Sequence, residues 1–288
     1  MDQIVAGVDF SGAKTEPNDT WLTVAKVGSL GVEVLDTKKV GSHALAKTLV
    51  ENASLKAVGI DSPFSLPAEF IQHLAAQRPR ADYQSWQEMA QDLAFMSFDE
   101  FLKIAKEFKK EPKRFTDKNC VVPAQSPLHR SNPSMIQMTF QCIRLLAMLD
   151  PSRFFVLPLQ DKIPLGCAVL EIYPRATLNA LALTETGYKS QEKSEQERVQ
   201  NTRANMLKGL LTLREKKGIS YHDYPRLTVP KRFEKTYIES DHALDSLIAC
   251  YTTAVYLIAP QLFDDPLASD NLDVLLEGWI YTLKRPGG

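Results

Sequence analysis

Three short apolar segments of this 288-residue sequence each end in an acidic residue. The segment IVAGV precedes Asp9, KAVGI precedes Asp61, and CAVL precedes Glu171. In a mainly parallel sheet, ligands bind outside the carboxyl ends of the strands, so parallel neighbours of this kind would bring their acids together. A single acid after a strand is also an ordinary turn residue, and the interpretation therefore depends on all three.

Two further acids lie four residues apart on a predicted helix over 241–258. Asp241 and Asp245 share one face of that helix, because residues four apart are neighbours on its surface. Asp241 also has a simpler explanation, since an acid in the first turn interacts favourably with the helix dipole. Asp245 lies between Leu244 and Ile248 on an apolar helix. A buried carboxylate is costly unless it is paired, so Asp245 is predicted to bind a partner such as a metal ion.

Clustered carboxylates of this kind would suit a divalent cation. They repel one another and take up protons unless positive charge is supplied nearby. Mg²⁺ and Mn²⁺ prefer oxygen ligands, and two such ions about 4 Å apart can activate a water molecule and stabilise the leaving oxygen of a phosphodiester. The predicted catalytic group consists of Asp9, Asp61, Glu171, Asp241 and Asp245.

The spacing of apolar residues predicts a mixed sheet flanked by helices. Strands are expected at 3–10, 20–27, 31–40, 56–61, 166–173 and 274–283. The first three form an antiparallel meander, because Gly28 and Gly31 favour a hairpin. The fourth strand follows a helix and is therefore expected to run parallel to the first. This order is that of a ribonuclease H-like α/β fold.

Helical periodicity dominates the sequence between the fourth and fifth strands. We therefore predict a ribonuclease H-like core of residues 1–66 and 166–288 and a helical insertion of residues 67–165. The insertion leaves the sheet just after one strand-end acid and returns just before another, so we expect it to cover the site as a lid. Its stretch 103–118 holds seven basic and three acidic residues. This stretch either contacts phosphates or is a solvated helix face.

The composition argues against several classes of protein. The net charge is −1, so no global basic field recruits nucleic acid or membrane. The four cysteines form no CxxC pair, and a structural zinc site is not expected. The sequence has no recognisable signal peptide and no apolar run long enough to span a membrane. These features predict a cytoplasmic protein without membrane contacts.

Four segments of the sequence resemble one protein family. They are 7–12 (GVDFSG), 59–63 (GIDSP), 171–176 (EIYPRA) and 241–249 (DHALDSLIA). They resemble the domain of unknown function family 429, whose members are described as predicted nucleases with a ribonuclease H-like fold. The last segment is also similar to the final helix of resolvase-type members of that superfamily. The resemblance spans nearly the whole chain.

The resemblance implies roles for particular residues. By the match, Asp9, Asp61 and Asp245 take the metal-ligand positions of the superfamily. Glu171 matches a motif of this family, whereas the broader superfamily often places its further acid elsewhere. A weaker family motif in the insertion matches Arg114, Thr116 and Asp117. The candidate substrate contacts are Lys14, Ser62, Arg114 and Arg175.

Two of these candidate substrate contacts, Arg114 and Lys14, also have a physical reason that does not depend on the resemblance. Arg114 carries a guanidinium fork that can bind phosphate through two hydrogen bonds. Lys14 follows the flexible Gly12 and is either a phosphate contact or a solvated surface lysine.

His242 is the histidine nearest the acids in the sequence. We expect it to be incidental, with proton transfer as the alternative.

Three functions are consistent with the sequence. The first is a nuclease that uses Mg²⁺ or Mn²⁺ to hydrolyse phosphodiester bonds in nucleic acid. The second is a phosphoryl-transfer enzyme of the actin and sugar-kinase type, although 9–14 is not the usual phosphate loop of that class. The third is a non-catalytic binding module that kept the fold. Metal affinity separates the third from the others, and nucleotide hydrolysis separates the second from the first.

Overall fold

The structure is a computed structural model and describes residues 2–13, 15, 18–29, 31–78, 82–215, 223–268 and 270–285. The strands in these ranges are β1 (Gln3–Asp9), β2 (Trp21–Gly28), β3 (Gly31–Lys39), β4 (Leu55–Asp61), β5 (Phe154–Val156), β6 (Cys167–Glu171) and β7 (Leu227–Thr228). The helices are α1 (Ser42–Glu51), α2 (Ala68–Ala76), α3 (Trp86–Phe95), α4 (Phe98–Phe108), α5 (Phe115–Asn119), α6 (Pro133–Ala147), α7 (Pro174–Ala180), α8 (Gln196–Leu211), α9 (Lys231–Glu239), α10 (Asp241–Ile258) and α11 (Val274–Glu277).

The strands form one mixed sheet in the order β5-β6-β4-β1-β2-β3-β7. β1, β2 and β3 are antiparallel neighbours, as the hairpin signals predict. β4 pairs with β1, β6 with β4, and β5 with β6, all in parallel. The five strands from β6 to β3 therefore have the ribonuclease H-like order, and the predicted α/β fold class is confirmed. β5 and β7 extend this sheet at its two edges.

Helices cover both faces of the sheet, which explains why the central strands are apolar on both sides. On one face, α10 packs across β1, β2 and β4. On the other face, helices of the segment 67–165 supply Phe70, Phe101 and Phe140. These rings join Val8 and Ile60 of the sheet in one apolar cluster. The segment 67–165 is thus anchored to the sheet by a hydrophobic core that the two share.

The helix α10 begins at a side-chain cap and is largely buried. Ser240 Oγ accepts a hydrogen bond from the backbone amide of Ala243 at 3.1 Å, which satisfies one of the free amides of the first turn. The helix runs for 18 residues and ends just before Pro260, which cannot continue it. No helix in the described part of the chain has both the length and the apolar character of a membrane span.

The C-terminal segment differs from its predicted structure. We expect one strand over 274–283, but this segment contains the short helix α11 and then only isolated bridges at Ile280 and Leu283. The carboxylate of Glu277 accepts hydrogen bonds from two backbone amides of the helical region, both at 2.7 Å. These bonds hold the segment against the helices, so the prediction of a strand over the whole segment is wrong.

The segment 67–165 also contributes a strand, which the sequence does not reveal. β5 is only three residues long and pairs with β6 in parallel at the edge of the sheet. A run of three residues is too short for an alternating pattern to be recognised. The predicted division into a core and a helical insertion therefore places one edge strand in the insertion.

Candidate metal site

Asp9 and Asp61 lie side by side at the carboxyl ends of β1 and β4. The strands are parallel and the two acids are in register, so both side chains point to the same face of the sheet. Asp245 reaches this pair from α10, which packs on that face. One carboxylate oxygen from each of the three acids lies within 4.8 Å of the others. The fold thus brings together residues from three elements that are far apart in the sequence.

Two glycines allow α10 to approach the strands closely enough to place Asp245. Gly7 and Gly59 each precede the acid of their strand by two residues, so they lie on the same face. A Cβ atom at Gly7 would lie 2.0 Å from the backbone nitrogen of Cys250, and one at Gly59 would lie 2.1 Å from the hydroxyl oxygen of Thr253. Neither position has room for a side chain. The Gly-x-Asp pattern, repeated in both strands, is the sequence signal for this close approach.

We expect Gly7→Ala to lower the free energy of unfolding by about 1–3 kcal/mol, the range typical of overpacked core sites. The added methyl group would meet backbone atoms of Ser246 and Cys250, which cannot rotate away as a side chain would. Urea unfolding monitored by circular dichroism measures the loss.

The matched control for this variant is Gly209→Ala on α8. There the nearest atoms belong to the flexible side chain of Leu183, and alanine is favoured over glycine in a helix. We expect little change or a small gain in stability. Equal losses at Gly7 and Gly209 would contradict the close-packing explanation.

Asp245 is fully buried, and each of its carboxylate oxygens has a partner. The hydroxyl of Tyr188 donates to Oδ1 at 2.9 Å, and the ammonium nitrogen of Lys189 lies 2.5 Å from Oδ2. Partial burial opposes the charged form of Lys189, but the charges around it, led by Asp245, outweigh this effect and raise its pKa. Both partners come from the irregular segment between α7 and α8, where no periodic pattern points to them. Sequence analysis therefore missed them.

Burial and neighbouring carboxylates disfavour the charged forms of Asp9 and Asp61. Burial, followed by the charges of Asp9 and Asp245, holds the pKa of Asp61 well above its usual range. Burial also raises the pKa of Asp9. Within the described residues, Asp61 has no hydrogen bond or ion pair with another side chain. A bound divalent cation would relieve this repulsion directly.

His242 belongs to the site, although the sequence analysis expects it to be incidental. Its Nδ1 atom lies 2.7 Å from Oδ2 of Asp9, and this hydrogen bond raises the pKa of His242. The same bond opposes the effect of burial on the pKa of Asp9. His242 therefore stabilises the charged form of Asp9 and fixes the orientation of its carboxylate.

Glu171 lines the same cleft as Asp9 and Asp61 but is not among the three acids whose oxygens come together. In the parallel pairing of β4 and β6, Glu171 is opposite Ile60 and not opposite Asp61, which is the next residue of β4. A shift of one residue along a strand turns the side chain to the opposite face of the sheet. The Glu171 carboxylate accepts hydrogen bonds from Arg114 at 2.6 and 2.8 Å. The register therefore keeps Glu171 out of the close group of three acids, and its catalytic role stays a prediction.

Arg114 has no free donor for a phosphate. The residue is 1 % exposed, and its five N–H groups point to the carboxylates of Asp117 and Glu171 and to the carbonyl oxygen of Glu277. Thr116 also has a structural role, because its hydroxyl accepts a hydrogen bond from the amide of Ile280 at 2.8 Å. The predicted phosphate contact of Arg114 is therefore corrected: this motif ties the segment 67–165 to β6 and to the C-terminal segment.

The other predicted residues occupy different positions around the site. Ser62 is buried and lines the cleft beside the acids. Asp241 lies in the first turn of α10 and is not among the three acids whose oxygens come together. Arg175 is partly exposed and lies 3.6 Å from a carboxylate oxygen of Glu185. Lys14 lies outside the described residues. The substrate and catalytic roles of these residues stay predictions.

Most of the basic stretch 103–118 lies outside the cleft that borders the acids. Lys103, Lys106 and Lys109 line a separate shallow depression, and Lys110 pairs with Glu69. Only Arg114 and its partner Asp117 in this stretch border the cleft. A phosphate contact by these lysines therefore stays a prediction about a surface outside the carboxylate site.

A cleft of about 580 Å³ opens beside the acids. Its volume falls in the range of ligand-binding clefts, about 300–1,000 Å³. The sheet contributes Asp9 and Asp61, α10 contributes His242, and the irregular segment between α7 and α8 contributes Lys189. The segment 67–165 contributes Gln125, Asn132, Ser134, Met135, Gln137 and Met138. The cleft can therefore hold a ligand that has a cationic or metal-bound end at the carboxylate site and an uncharged part against this segment.

The strand order and the three clustered acids define an α/β protein of the ribonuclease H-like class with a candidate metal site. A family model described as "Protein of unknown function (DUF429)" matches residues 7–257. This match covers most of the chain, and the chain belongs to that family. A search of curated proteins gave no match, and a search of solved structures gave none either. The matched region contains all three clustered acids and ends before α11.

Proposed function

We propose that this protein is a divalent-metal-dependent phosphodiesterase that acts on nucleic acid. The observation that carries the proposal is the set of carboxylate oxygens from Asp9, Asp61 and Asp245, which lie within 4.8 Å of one another. Carboxylates from two strand ends and one buried helix position thus lie close enough together to be candidate ligands of a single cation. The candidate cofactor is Mg²⁺ or Mn²⁺.

The chemistry of the donor set fits these ions. The three acids offer only oxygen atoms, which Mg²⁺ and Mn²⁺ prefer, and no cysteine or histidine belongs to the described group. Asp61 accepts no hydrogen bond from another described residue, so its oxygens are available to a cation. Burial and mutual repulsion hold its pKa well above the usual range. A divalent ion would reverse that effect.

The residues of the site have separate tasks in the proposed reaction. Asp9 and Asp61 hold the ion from the sheet, and Asp245 holds it from α10. His242 keeps the Asp9 carboxylate in place, as hydrogen-bonding partners of metal ligands commonly do. A bound ion supplies Lewis-acid activation of water and neutralises charge on the phosphodiester.

Nucleic acid would reach this site through local rather than global attraction. The net charge of −1 gives no long-range pull on a polyanion, and the cleft is itself lined by carboxylates. We therefore expect substrate affinity to depend on the metal ion. The segment 67–165 forms one wall of the cleft and, in this proposal, acts as the lid that selects the substrate.

Mn²⁺ titration calorimetry and cleavage assays on EDTA-stripped protein test the proposal. The substrates are labelled single-stranded DNA, double-stranded DNA, RNA and a four-way junction, with ATP as a further arm. We expect metal-dependent cleavage of at least one oligonucleotide. Asp61→Asn should weaken Mn²⁺ binding about tenfold or more, since mutating a residue that only hydrogen-bonds to a metal ligand already lowers metal affinity by about tenfold. Asp36→Asn, at a partly exposed acid on β3, is the control and should leave the affinity unchanged.

Each other outcome has a definite meaning. Folded protein that binds no Mn²⁺ would refute the proposal. ATP hydrolysis without oligonucleotide cleavage would favour a phosphoryl-transfer enzyme. Mn²⁺ binding without turnover of any substrate would favour a binding module that kept the fold.

A further inference from the structure

Two consecutive residues, Tyr188 and Lys189, bind the two oxygens of Asp245. The tyrosine hydroxyl is 2.9 Å from Oδ1, and the lysine ammonium nitrogen is 2.5 Å from Oδ2. Lys189 also borders the cleft that contains Asp9 and Asp61. Its ammonium group therefore lies next to the three carboxylates and faces the space where a ligand would enter.

The backbone that carries Lys189 is fixed by a buried arginine. Arg203 on α8 is 2 % exposed, and its Nε donates to the carbonyl oxygen of Tyr188 at 2.8 Å. Its Nη1 donates to the carbonyl oxygens of Ile238 and Glu239 at 3.0 and 2.7 Å, just before α10 begins. One guanidinium group thus ties the Lys189 segment to the start of the helix that carries Asp245. The position of the ammonium group is built into the fold.

The charges of the site match one divalent ion better than two. One divalent ion and one ammonium group balance three carboxylates, and the imidazole of His242 beside Asp9 adds further positive charge when it is protonated. A second ion would add two positive charges about 4 Å from the first, the usual spacing in two-metal sites. It would also compete with Lys189 for Oδ2 of Asp245. Repulsion between that ion and a fixed ammonium group disfavours the arrangement.

We propose that Lys189 takes the place of a second metal ion, so that the site binds one divalent ion and the ammonium group supplies the other positive charge facing the substrate phosphate. This inference rests on the proposed metal-dependent function. It adds the number of ions, and it identifies a residue of this chain that contacts the phosphate. An ammonium group can donate hydrogen bonds to phosphate oxygens as well as attract them.

The number of Mn²⁺ ions bound per chain tests the proposal without an activity assay. Titration calorimetry and electron paramagnetic resonance on the full-length, metal-free protein count the bound and free ions. We expect one ion for the wild-type protein and two for Lys189→Gln. Glutamine can still donate a hydrogen bond to Asp245 but carries no charge. Lys189→Met gives the same test if the glutamine variant does not fold.

Two further variants make the result specific to the charge at this position. Lys189→Arg keeps the positive charge and should still bind one ion. Lys193→Met removes an exposed lysine four residues later and should also leave one ion bound. Two ions bound to the wild-type protein, or one ion bound to a folded Lys189→Gln or Lys189→Met variant, would overturn the proposal for Lys189 alone. No ion bound to the folded wild-type protein would overturn the proposed function as well.

Discussion

Arg114→Met is expected to lower the free energy of unfolding by about 3–5 kcal/mol, the cost of breaking a buried ion pair by removing one partner. The guanidinium group is 1 % exposed and lies between the carboxylates of Asp117 and Glu171, which are also buried. These neighbours, led by Asp117, raise the pKa of Arg114 although burial opposes its charge. Without the arginine, two carboxylates would be left in the interior with no counter-charge. Chemical denaturation followed by tryptophan fluorescence measures the loss.

Two controls distinguish the effect of breaking a buried ion pair from the effect of removing an arginine side chain. Arg78→Met removes an arginine that also contacts two acids, Asp92 and Glu100, but is 22 % exposed. Water can solvate the acids left there, so we expect a clearly smaller loss. In the background Asp117→Asn and Glu171→Gln, Arg114→Met should also cost less than in the wild-type protein. A full loss in that background would show that packing, and not charge, explains the effect.

Asp245→Asn is expected to weaken Mn²⁺ binding by at least about 100-fold. Removing a residue that only hydrogen-bonds to a metal ligand already lowers metal affinity by up to about 100-fold, and removing a ligand should cost at least as much. Asp245 is fully buried beside Asp9 and Asp61, so a neutral asparagine would leave the ion without one of its three anionic ligands. The amide nitrogen that asparagine introduces cannot coordinate a cation. Titration calorimetry of the metal-free protein with Mn²⁺ gives the affinity.

Asp241→Asn is the matched control, because Asp241 lies four residues earlier on the same helix. Its carboxylate is not among the three whose oxygens come together. We expect its Mn²⁺ affinity to equal that of the wild-type protein, with at most a small loss of stability from the weaker interaction with the helix dipole. If the two variants lose affinity equally, both acids are ligands and the three-acid site is incomplete.

Much of the central sheet can be predicted from local patterns. The apolar runs before Asp9 and Asp61 mark buried strands, and the glycines between β2 and β3 mark a hairpin. The position of Asp245 within an apolar helix gives the third acid. The three clustered acids can be predicted because each acid interrupts or ends an apolar pattern, and burying an unpaired carboxylate is costly.

The register between strands cannot be predicted in this way. Glu171 ends an apolar run in the same way as Asp9 and Asp61 do. In the sheet, however, it pairs with Ile60 and not with Asp61. Register is set by packing and by the connections between strands, and one residue of shift exchanges the two faces. The same limit explains Arg114, whose fork suits a phosphate and a carboxylate equally well. Only the folded structure shows that the guanidinium group of Arg114 binds the carboxylate of Glu171.

The hydrogen bond between Asp9 and His242 joins residues 233 positions apart. A contact of such long range is slow to form, because the entropic cost of closing the loop has to be met before the contact stabilises it. During synthesis, β1 and β4 emerge long before α10, so the two strand-end acids exist for some time without their third partner. Cation binding at this site would then mark the end of folding. A fragment that lacks α10 would retain both Gly-x-Asp strands and still have no complete site.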